Sequence, residues 1–422
     1  RGLGDVYKRQ LLAVLMLIMY VMVILPTILW LGAKAVNNLT GLELIPAMIL
    51  LGGLSLAYSL YGGLKAVALT DLIQVVLLIF GGLFVTYKGL DLLSEGNGLF
   101  EGFMILQSEF PEKFDAILSY APKEVDPEAY ANYIKLPGIW VLIGGMWIAH
   151  FYYWGTNQYI TQRALGGKSL DEAQNGLMFA GFLKIFMPIV VVLPGLIAVA
   201  LEANGTINLA GDRSNAYPSM LNLLPEGIKG LTFAALVAAI VSSLASLSNS
   251  VSTIFTMDIY RKDQDINDVS LVKIGRVAGF VGLVTSIIVA PIFLGSLDSA
   301  FQYVQEYMGL FSPVILFVFL SAIFLKNSTT RSVLEGSFVA LALGVILKLY
   351  VANNPGSAIE PFMHQMAISF VAAFLVNYFR SPQTTNEKVF NLTRADFNTS
   401  KLFNIGSITI LVILGGIYSF YW

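Results

Sequence analysis

AALVAAIVSSLASLSNSVSTIFTMDIY, Ala234 to Tyr260, is apolar enough to cross a bilayer, yet it carries Ser242, Ser243, Ser246, Ser248, Ser250, Ser252 and Thr253. A hydrocarbon core about 30 Å thick needs roughly 20 apolar residues per helix. Working outward with a window of that length finds about eleven segments, near 11–33, 42–61, 66–87, 138–162, 172–201, 231–258, 271–296, 299–325, 332–352, 361–379 and 402–421. Of the 422 residues, 56% are hydrophobic and 12% charged, and the mean hydropathy is +0.73, which excludes an ordinary soluble domain. Continuous apolar runs with short connectors point to an all-α polytopic membrane bundle, not to the ten-residue alternation of an outer-membrane barrel.

The remaining composition narrows the chemistry. With no cysteine and two histidines, His150 and His364, disulfides, thiolate metal sites and a His-rich metal centre are excluded. A net charge of -2 from 25 basic and 27 acidic residues, mostly between the apolar runs, argues for a lipid bilayer and against a nucleic-acid partner. No phosphate-binding glycine loop, paired metal-ligand motif or nucleophile elbow is present, so neither an ATP-driven pump nor an enzyme is expected.

Charge also predicts topology. Lys65, Arg163, Lys168, Arg261, Lys262, Lys326, Arg331, Arg380, Lys388, Arg394 and Lys401 fall in alternate loops, which marks the cytoplasmic side. The 91–137 connector is acidic and therefore outside, and Tyr418, Phe420, Tyr421 and Trp422 form an aromatic anchor there, with the C-terminus outside. Arg1 to Gln10, RGLGDVYKRQ, switches abruptly into apolar sequence at Leu11. It reads as a non-native, adapter-derived segment, or alternatively as a short native loop, with the true N-terminus absent.

Polar breaks interrupt several segments. Gly144, Gly145, His150, Gly155, Thr156 and Asn157 share one span, and Pro26, Pro188, Pro194, Pro291 and Pro313 each remove a backbone donor. Interrupted helices of this kind expose backbone groups around a mid-membrane cavity in transporters. Ionisable residues inside a membrane are costly enough to be functional candidates, and Asp71, His150, Lys184 and Glu306 qualify. Lys184 either reaches a cavity, donating to a hydroxyl or carboxylate, or snorkels to the interface. His150 leads Phe151, Tyr152, Tyr153 and Trp154, which either offer a sugar its aromatic faces and hydrogen-bonding tips or form an interfacial belt. In 234–260, Ser242 and Ser243 with a backbone carbonyl near Ala239 either supply oxygens to a hard monovalent cation or simply let helices approach closely. Asp71 adds charge near that site or faces the cytoplasm. Phe301, Gln302, Tyr303, Gln305 and Glu306 form a polar-aromatic cluster in which Gln305 is both donor and acceptor for a hydroxyl.

Five motifs carry a resemblance: YSLYGGLKAVALTDLIQ (Tyr58 to Gln74), YYWGTNQYITQRAL (Tyr152 to Leu165), AAIVSSLAS (Ala238 to Ser246), FTMDIY (Phe255 to Tyr260) and AFQYVQEYMGL (Ala300 to Leu310). From about Leu11 to Trp422 the chain resembles the sodium:solute symporter family, in its bacterial sodium/glucose and sodium/galactose branch. The resemblance implies an inverted-repeat (LeuT-like, five-plus-five helix) transporter fold with flanking helices. One transmembrane domain, 11–422, would comprise the remainder of the first repeat at 11–87, the second repeat at 138–325 and C-terminal flanking helices at 332–422. Family members have about fourteen helices, so the first helices would be missing, including a broken one that supplies half the sodium site, and this polypeptide alone would not be expected to transport.

By position, the resemblance makes Lys184 and Gln305 sugar contacts, Tyr153 the stacking residue and inner gate, and Phe301 part of the outer gate. Ala239, Ser242 and Ser243 become sodium ligands, with Asp71 acidic near the ion. Where galactose-transporting relatives have asparagines, this chain has His150 and Ile24. Loss of an amide changes which hydroxyl is recognised, which leaves another hexose, a deoxy-sugar or a polyol, and His150 introduces a group with an unperturbed pKa of about 6.5. The expectation is a sodium-coupled symporter of a sugar or polyol in a bacterial inner membrane. A carboxylate symporter with Lys184 as counter-charge, or a non-concentrating sensor or channel, are the alternatives.

Overall fold

With no water in hydrocarbon, each backbone N–H and C=O must be paired within its own segment, so the apolar windows become helices. The computed structural model describes residues 6–261, 266–295, 300–382, 393 and 397–421, and side chains outside 60–69 and 301. Among the described residues there is no strand. In chain order the helices are α1 (Val6–Thr40), α2 (Leu44–Leu93), α3 (Leu99–Glu109), α4 (Pro127–Ile143) and α5 (Gly145–Thr156), α6 (Gln158–Ala164) and α7 (Leu170–Ala203). They continue with α8 (Ala216–Asn222), α9 (Glu226–Tyr260) and α10 (Asp268–Leu294), α11 (Ala300–Phe324), α12 (Thr330–Asn353), α13 (Phe362–Arg380) and α14 (Lys401–Phe420).

Nine of the described helical stretches are long and apolar enough to span a membrane, α4 and α5 together make a tenth bent by 85°, and Leu44–Ser59 is a shorter apolar stretch. Each expected segment therefore lies on a helix, with two differences. The first is α2, whose backbone is helical without the interruption expected between 61 and 66. It bends instead. Residues twelve apart on a straight helix are separated by about 18 Å, yet the hydroxyls of Tyr58 and Thr70 touch. The two arms run in opposite directions along α9: Ser59 donates to Asn249 Oδ1 at 2.6 Å, while Asp71 meets Ser242 and Gly81 faces Thr232.

The second difference is at the start. Leu11 is not a structural boundary, because α1 already runs through Val6–Gln10, with Lys8 buried and Arg9 3.6 Å from Asp258. Lys, Arg and Gln are good helix formers and extend a helix already nucleated by its apolar part. At the other end Gly41 adopts the left-handed conformation, φ 75°, and stops α1.

α1 is the centre of the larger core, which holds its Met19, Tyr20, Leu25 and Leu29 together with α11 residues such as Phe317. A second core joins Val85 and Leu90 of α2, Leu106 of α3, Ile197 and Leu201 of α7, and Met220 of α8. α14 presents Leu402, Ile405, Ile408 and Leu411 outward, as a lipid-facing helix does. The Ala116 N–H of the acidic connector donates to Tyr421 O at 2.6 Å, and Phe114 stacks on Tyr421 at 6.1 Å, so connector and C-terminal aromatics share one end of the bundle. Of the residues expected at the opposite end, Arg380 joins Arg331 on Glu335 at 2.5 and 2.8 Å. Lys262, Lys388, Arg394, Trp422 and the Lys65 side chain lie outside the described residues.

The kink between α4 and α5 depends on close packing. A Cβ on Gly145 would overlap the Met363 carbonyl oxygen and lie 2.8 Å from Met363 Cβ, whereas one on Gly155 meets nothing within 4 Å. Gly145→Ala is expected to cost about 1–3 kcal/mol through overpacking against backbone that cannot step aside. A thermal unfolding midpoint in detergent that drops for Gly145→Ala but not for Gly155→Ala checks this.

Candidate functional site

Two polar clusters meet at the α5–α6 break. α5 ends in a π-turn, Phe151–Thr156, a widening that shifts side chains off the regular helical register and is frequent at functional sites. The turn closes with Thr156 Oγ1 and Asn157 N–H donating to Tyr152 O at 2.9 and 3.0 Å. Asn157 then caps α6, its Oδ1 accepting from Tyr159 N–H at 3.2 Å. Tyr20, from a matching π-turn at Tyr20–Ile24 of α1, donates to the same oxygen at 2.5 Å. Asn157 is fully buried and its amide nitrogen has no partner among the described residues.

The expected solute residues do not all face one way. Trp154 is exposed, and Lys184 Nζ sits 4.1 Å from the centroid of its ring. Tyr153 is half-buried and packs edge-on against Trp154 at 5.2 Å. His150 is exposed at the start of the π-turn, within electrostatic range of Lys184. Tyr152 is different: its ring is fully buried and its hydroxyl points at Met19 Sδ, 3.5 Å away. Phe151 and Trp154 in the same run are exposed, whereas Tyr152 serves the α1–α5 contact. Gln305 lies on α11, which packs along this π-turn and along α1. It is half-buried and makes no side-chain hydrogen bond among the described residues. The Phe301 side chain is outside the described residues. Ile24 is buried in the π-turn of α1. Pro26 deprives the Met22 carbonyl of its usual donor, and Tyr303 supplies one from α11 at 3.0 Å.

The second cluster lies where α9, the second arm of α2, and α6 converge. Asp71 accepts from Ser242 with Oδ1 and pairs through Oδ2 with Arg163 at 2.7 Å. The same guanidinium nitrogen donates to Ser246 Oγ at 3.1 Å. Ser242 is buried, and Ala239 and Ser243 are half-buried, with no hydrogen bond from the Ser243 hydroxyl among the described residues. Asp71, half-buried, therefore faces the serines of α9. Glu306, the remaining intramembrane carboxylate, is elsewhere, accepting from Gln302 at 3.0 Å and paired with Lys348 at 3.3 Å.

Arg163 and Ser246 were not legible as site residues. Arg163 reads as a topology marker, although it follows the polar break by six residues in the same motif; Ser246 lies one turn from Ser242 on the same face, a spacing that was available. The second cluster has hydroxyl oxygens and one carboxylate to offer an ion, a set suited to a hard cation and not to a transition metal. Among the described residues no group of three or more His, Asp or Glu side chains is arranged to hold a metal. α6 joins the clusters, with Asn157 capping one end and Arg163 near the other.

The family model of the sodium:solute symporter family matches residues 4–344. The chain belongs to the sodium:solute symporter family. It is thus a multi-pass membrane transporter, not an enzyme, of a family whose coupling ion is sodium. The symporter is 39% identical over 432 residues to a sodium/glucose cotransporter of Vibrio parahaemolyticus, covering 98% of this chain and 77% of that one. It is 30% identical over 365 residues to a sodium/myo-inositol cotransporter 2 of Homo sapiens, covering 81% of this chain and about half, 53%, of that one. A solved structure of a Na+-coupled sialic acid symporter, in a substrate-bound outward-open state, superposes with a TM-score of 0.71 at 20% identity, over 91% of this chain and 76% of that one. That similarity shows the LeuT-like transporter fold.

Tyr20 gives this site a stability test independent of transport. Tyr20→Phe withdraws a donor from the buried Asn157 oxygen, which keeps only Tyr159 N–H, and is expected to cost about 1–3 kcal/mol. An unfolding midpoint equal to wild type would refute the role assigned to this bond.

Proposed function

We propose that the symporter couples sodium entry to uptake of a sugar or sugar-like polyol. The observation that carries this reading is the α5–α6 break, which presents aromatic surface and a cation stacked on Trp154 beside α11, the helix that carries the unengaged amide of Gln305. A pyranose or cyclitol has an apolar face for the rings and a rim of hydroxyls for Gln305, Lys184 and His150. The names of the Vibrio and human relatives, glucose and myo-inositol cotransporters, support the same solute class. In this reading Tyr153 stacks on the solute and gates the inner exit, Phe301 contributes to the outer gate, and Tyr152 positions the turn from behind.

Ala239, Ser242 and Ser243, with Asp71 nearby, are proposed to hold the sodium ion. Arg163 then completes Asp71 electrostatically when the ion is away, since an intramembrane carboxylate requires a cationic partner. Because α6 connects Arg163 to the Asn157 cap, a shift of the break on solute binding alters the Asp71 pairing, which links the sites through one short rigid element. The proposed repeats remain 11–87 and 138–325, with flanking helices at 332–422, in a bacterial inner membrane with the acidic connector and C-terminus outside.

The experiment is uptake into proteoliposomes by the chain, both as given and preceded by the N-terminal segment of the Vibrio relative. Accumulation against a gradient that requires imposed sodium and is inhibited by hexoses or inositols supports the proposal; accumulation indifferent to sodium overturns the coupling, and downhill flux alone favours a sensor or channel. One observation favours a second solute: Lys184 has no acidic partner among the described residues, which suits a small carboxylate. Inhibition by monocarboxylates but not hexoses would select it.

A further inference from the structure

A cavity of about 400 Å³ lies between the first arm of α2, the last turns of α9 and the first half of α10. It is distinct from the cation cluster. Ser248, Ser252 and Thr256 recur every four residues along one face of α9, turned away from Ser242 and Ser246. Gly275 and Gly279 of α10 come against these three residues, so the helices approach closely and their hydroxyls line the space. Four of its polar residues are already engaged: Ser59 donates to Asn249 at 2.6 Å, Thr253 to Asn249 O at 2.8 Å and Ser248 to Gly279 O at 3.2 Å.

Thr256 and Arg276 are not. Thr256 is 5% exposed, lines the cavity, and its hydroxyl has no partner among the described residues. Arg276 also lines the cavity and makes no ion pair or hydrogen bond among the described residues. It stands two turns inside the apolar helix Asp268–Leu294, where a cation without a counter-charge is costly. The apolar part of the wall tells what the cavity opens onto: Val272 and Phe280 are 54% and 52% exposed on the outside of the bundle, the surface that acyl chains cover. Arg261 and Lys273, at the same end of the bundle, add positive charge and have no carboxylate partner among the described residues.

We propose that this groove seats the headgroup phosphate of an anionic phospholipid from the adjoining leaflet. The Arg276 guanidinium donates two parallel hydrogen bonds to phosphate oxygens, a geometry that suits Arg and not Lys. The Thr256 hydroxyl donates a third, and the acyl chains leave along Val272 and Phe280. A basic notch between transmembrane helices with an apolar exit fits a lipid phosphate better than a free one, because only the lipid covers the exposed apolar wall.

The test uses the whole chain in nanodiscs of phosphatidylglycerol or of phosphatidylcholine, reading lipid retention by native mass spectrometry and the unfolding midpoint. Wild type is expected to retain phosphatidylglycerol preferentially and to unfold at higher temperature with it. Arg276→Gln should reduce that preference roughly fivefold, the effect of one cation near a membrane surface, and the near-isosteric Thr256→Val roughly threefold. Equal retention of the two lipids by wild type, or an unchanged preference in both variants, overturns the proposal and leaves Arg276 snorkelling over water. Glycerol 3-phosphate protecting the phosphatidylcholine sample as well as the lipid does would also overturn it. None of these readouts involves solute uptake, so failure here is separate from failure of the transport reading.

Discussion

Asp71→Asn is expected to weaken sodium activation of uptake by at least about tenfold. The carboxylate is held by Ser242 and by Arg163 at 2.7 Å, and hydrogen bonds to charged groups contribute about 1.5–3 kcal/mol, where 1.4 kcal/mol is a factor of ten. Asparagine keeps the shape and removes the charge, leaving the Arg163 guanidinium facing a neutral amide and the serine oxygens of α9 without an anion beside them. The comparison is Glu335→Gln, which removes an equally well-paired carboxylate at the end of the bundle, remote from the α9 serines, and should leave sodium activation unchanged. The measurement is initial uptake rate against sodium concentration in vesicles of matched protein content. A half-saturating sodium concentration that does not move in Asp71→Asn would remove Asp71 from the ion site.

Gln305→Ala should lose solute affinity while keeping the fold. Gln305 makes no side-chain hydrogen bond among the described residues, so truncating it breaks no internal network and its helix keeps its packing on α1 and on the Phe151–Thr156 turn. If the amide's donor and acceptor both serve solute hydroxyls, their loss corresponds to about 1–3 kcal/mol, a five- to hundredfold fall in affinity. Calorimetric titration of a hexose and inositol panel in sodium, alongside the unfolding midpoint, separates the two effects. Unchanged binding of the preferred solute would displace Gln305 from the site; a fallen midpoint would mean that it acts through structure. Tyr20→Phe should behave in the opposite way, with the midpoint moving first, because its hydroxyl is committed to Asn157.

The resemblance placed Lys184 and Tyr153 in one site. The structure brings both against Trp154, Lys184 over its ring and Tyr153 edge-on to it. The serines were legible as a stripe, but whether they serve packing or an ion was open. The structure divides them, Ser242 and Ser246 turned to Asp71 and Arg163, and Ser248 and Ser252 to the glycines of α10. The same helix thus turns one set of hydroxyls to a charged pair and another to a close helix contact. Tyr152, in a run of aromatics, is the one buried, within a π-turn and against Met19 of α1, and no residue spacing announces that turn.

What the sequence by itself determined was where apolar helices lie along the chain, the location of the polar break at 144–157, and the residue types available to an ion. These depend on free energies of transfer that add locally along a chain, so composition in a window suffices. Only the tertiary structure decided that Arg163 pairs with Asp71, 92 residues away, and Tyr20 with Asn157, 137 residues away. It also decided that α2 bends so that its arms run antiparallel along α9. In each case the partner is fixed by which helices meet, a property that no single segment contains.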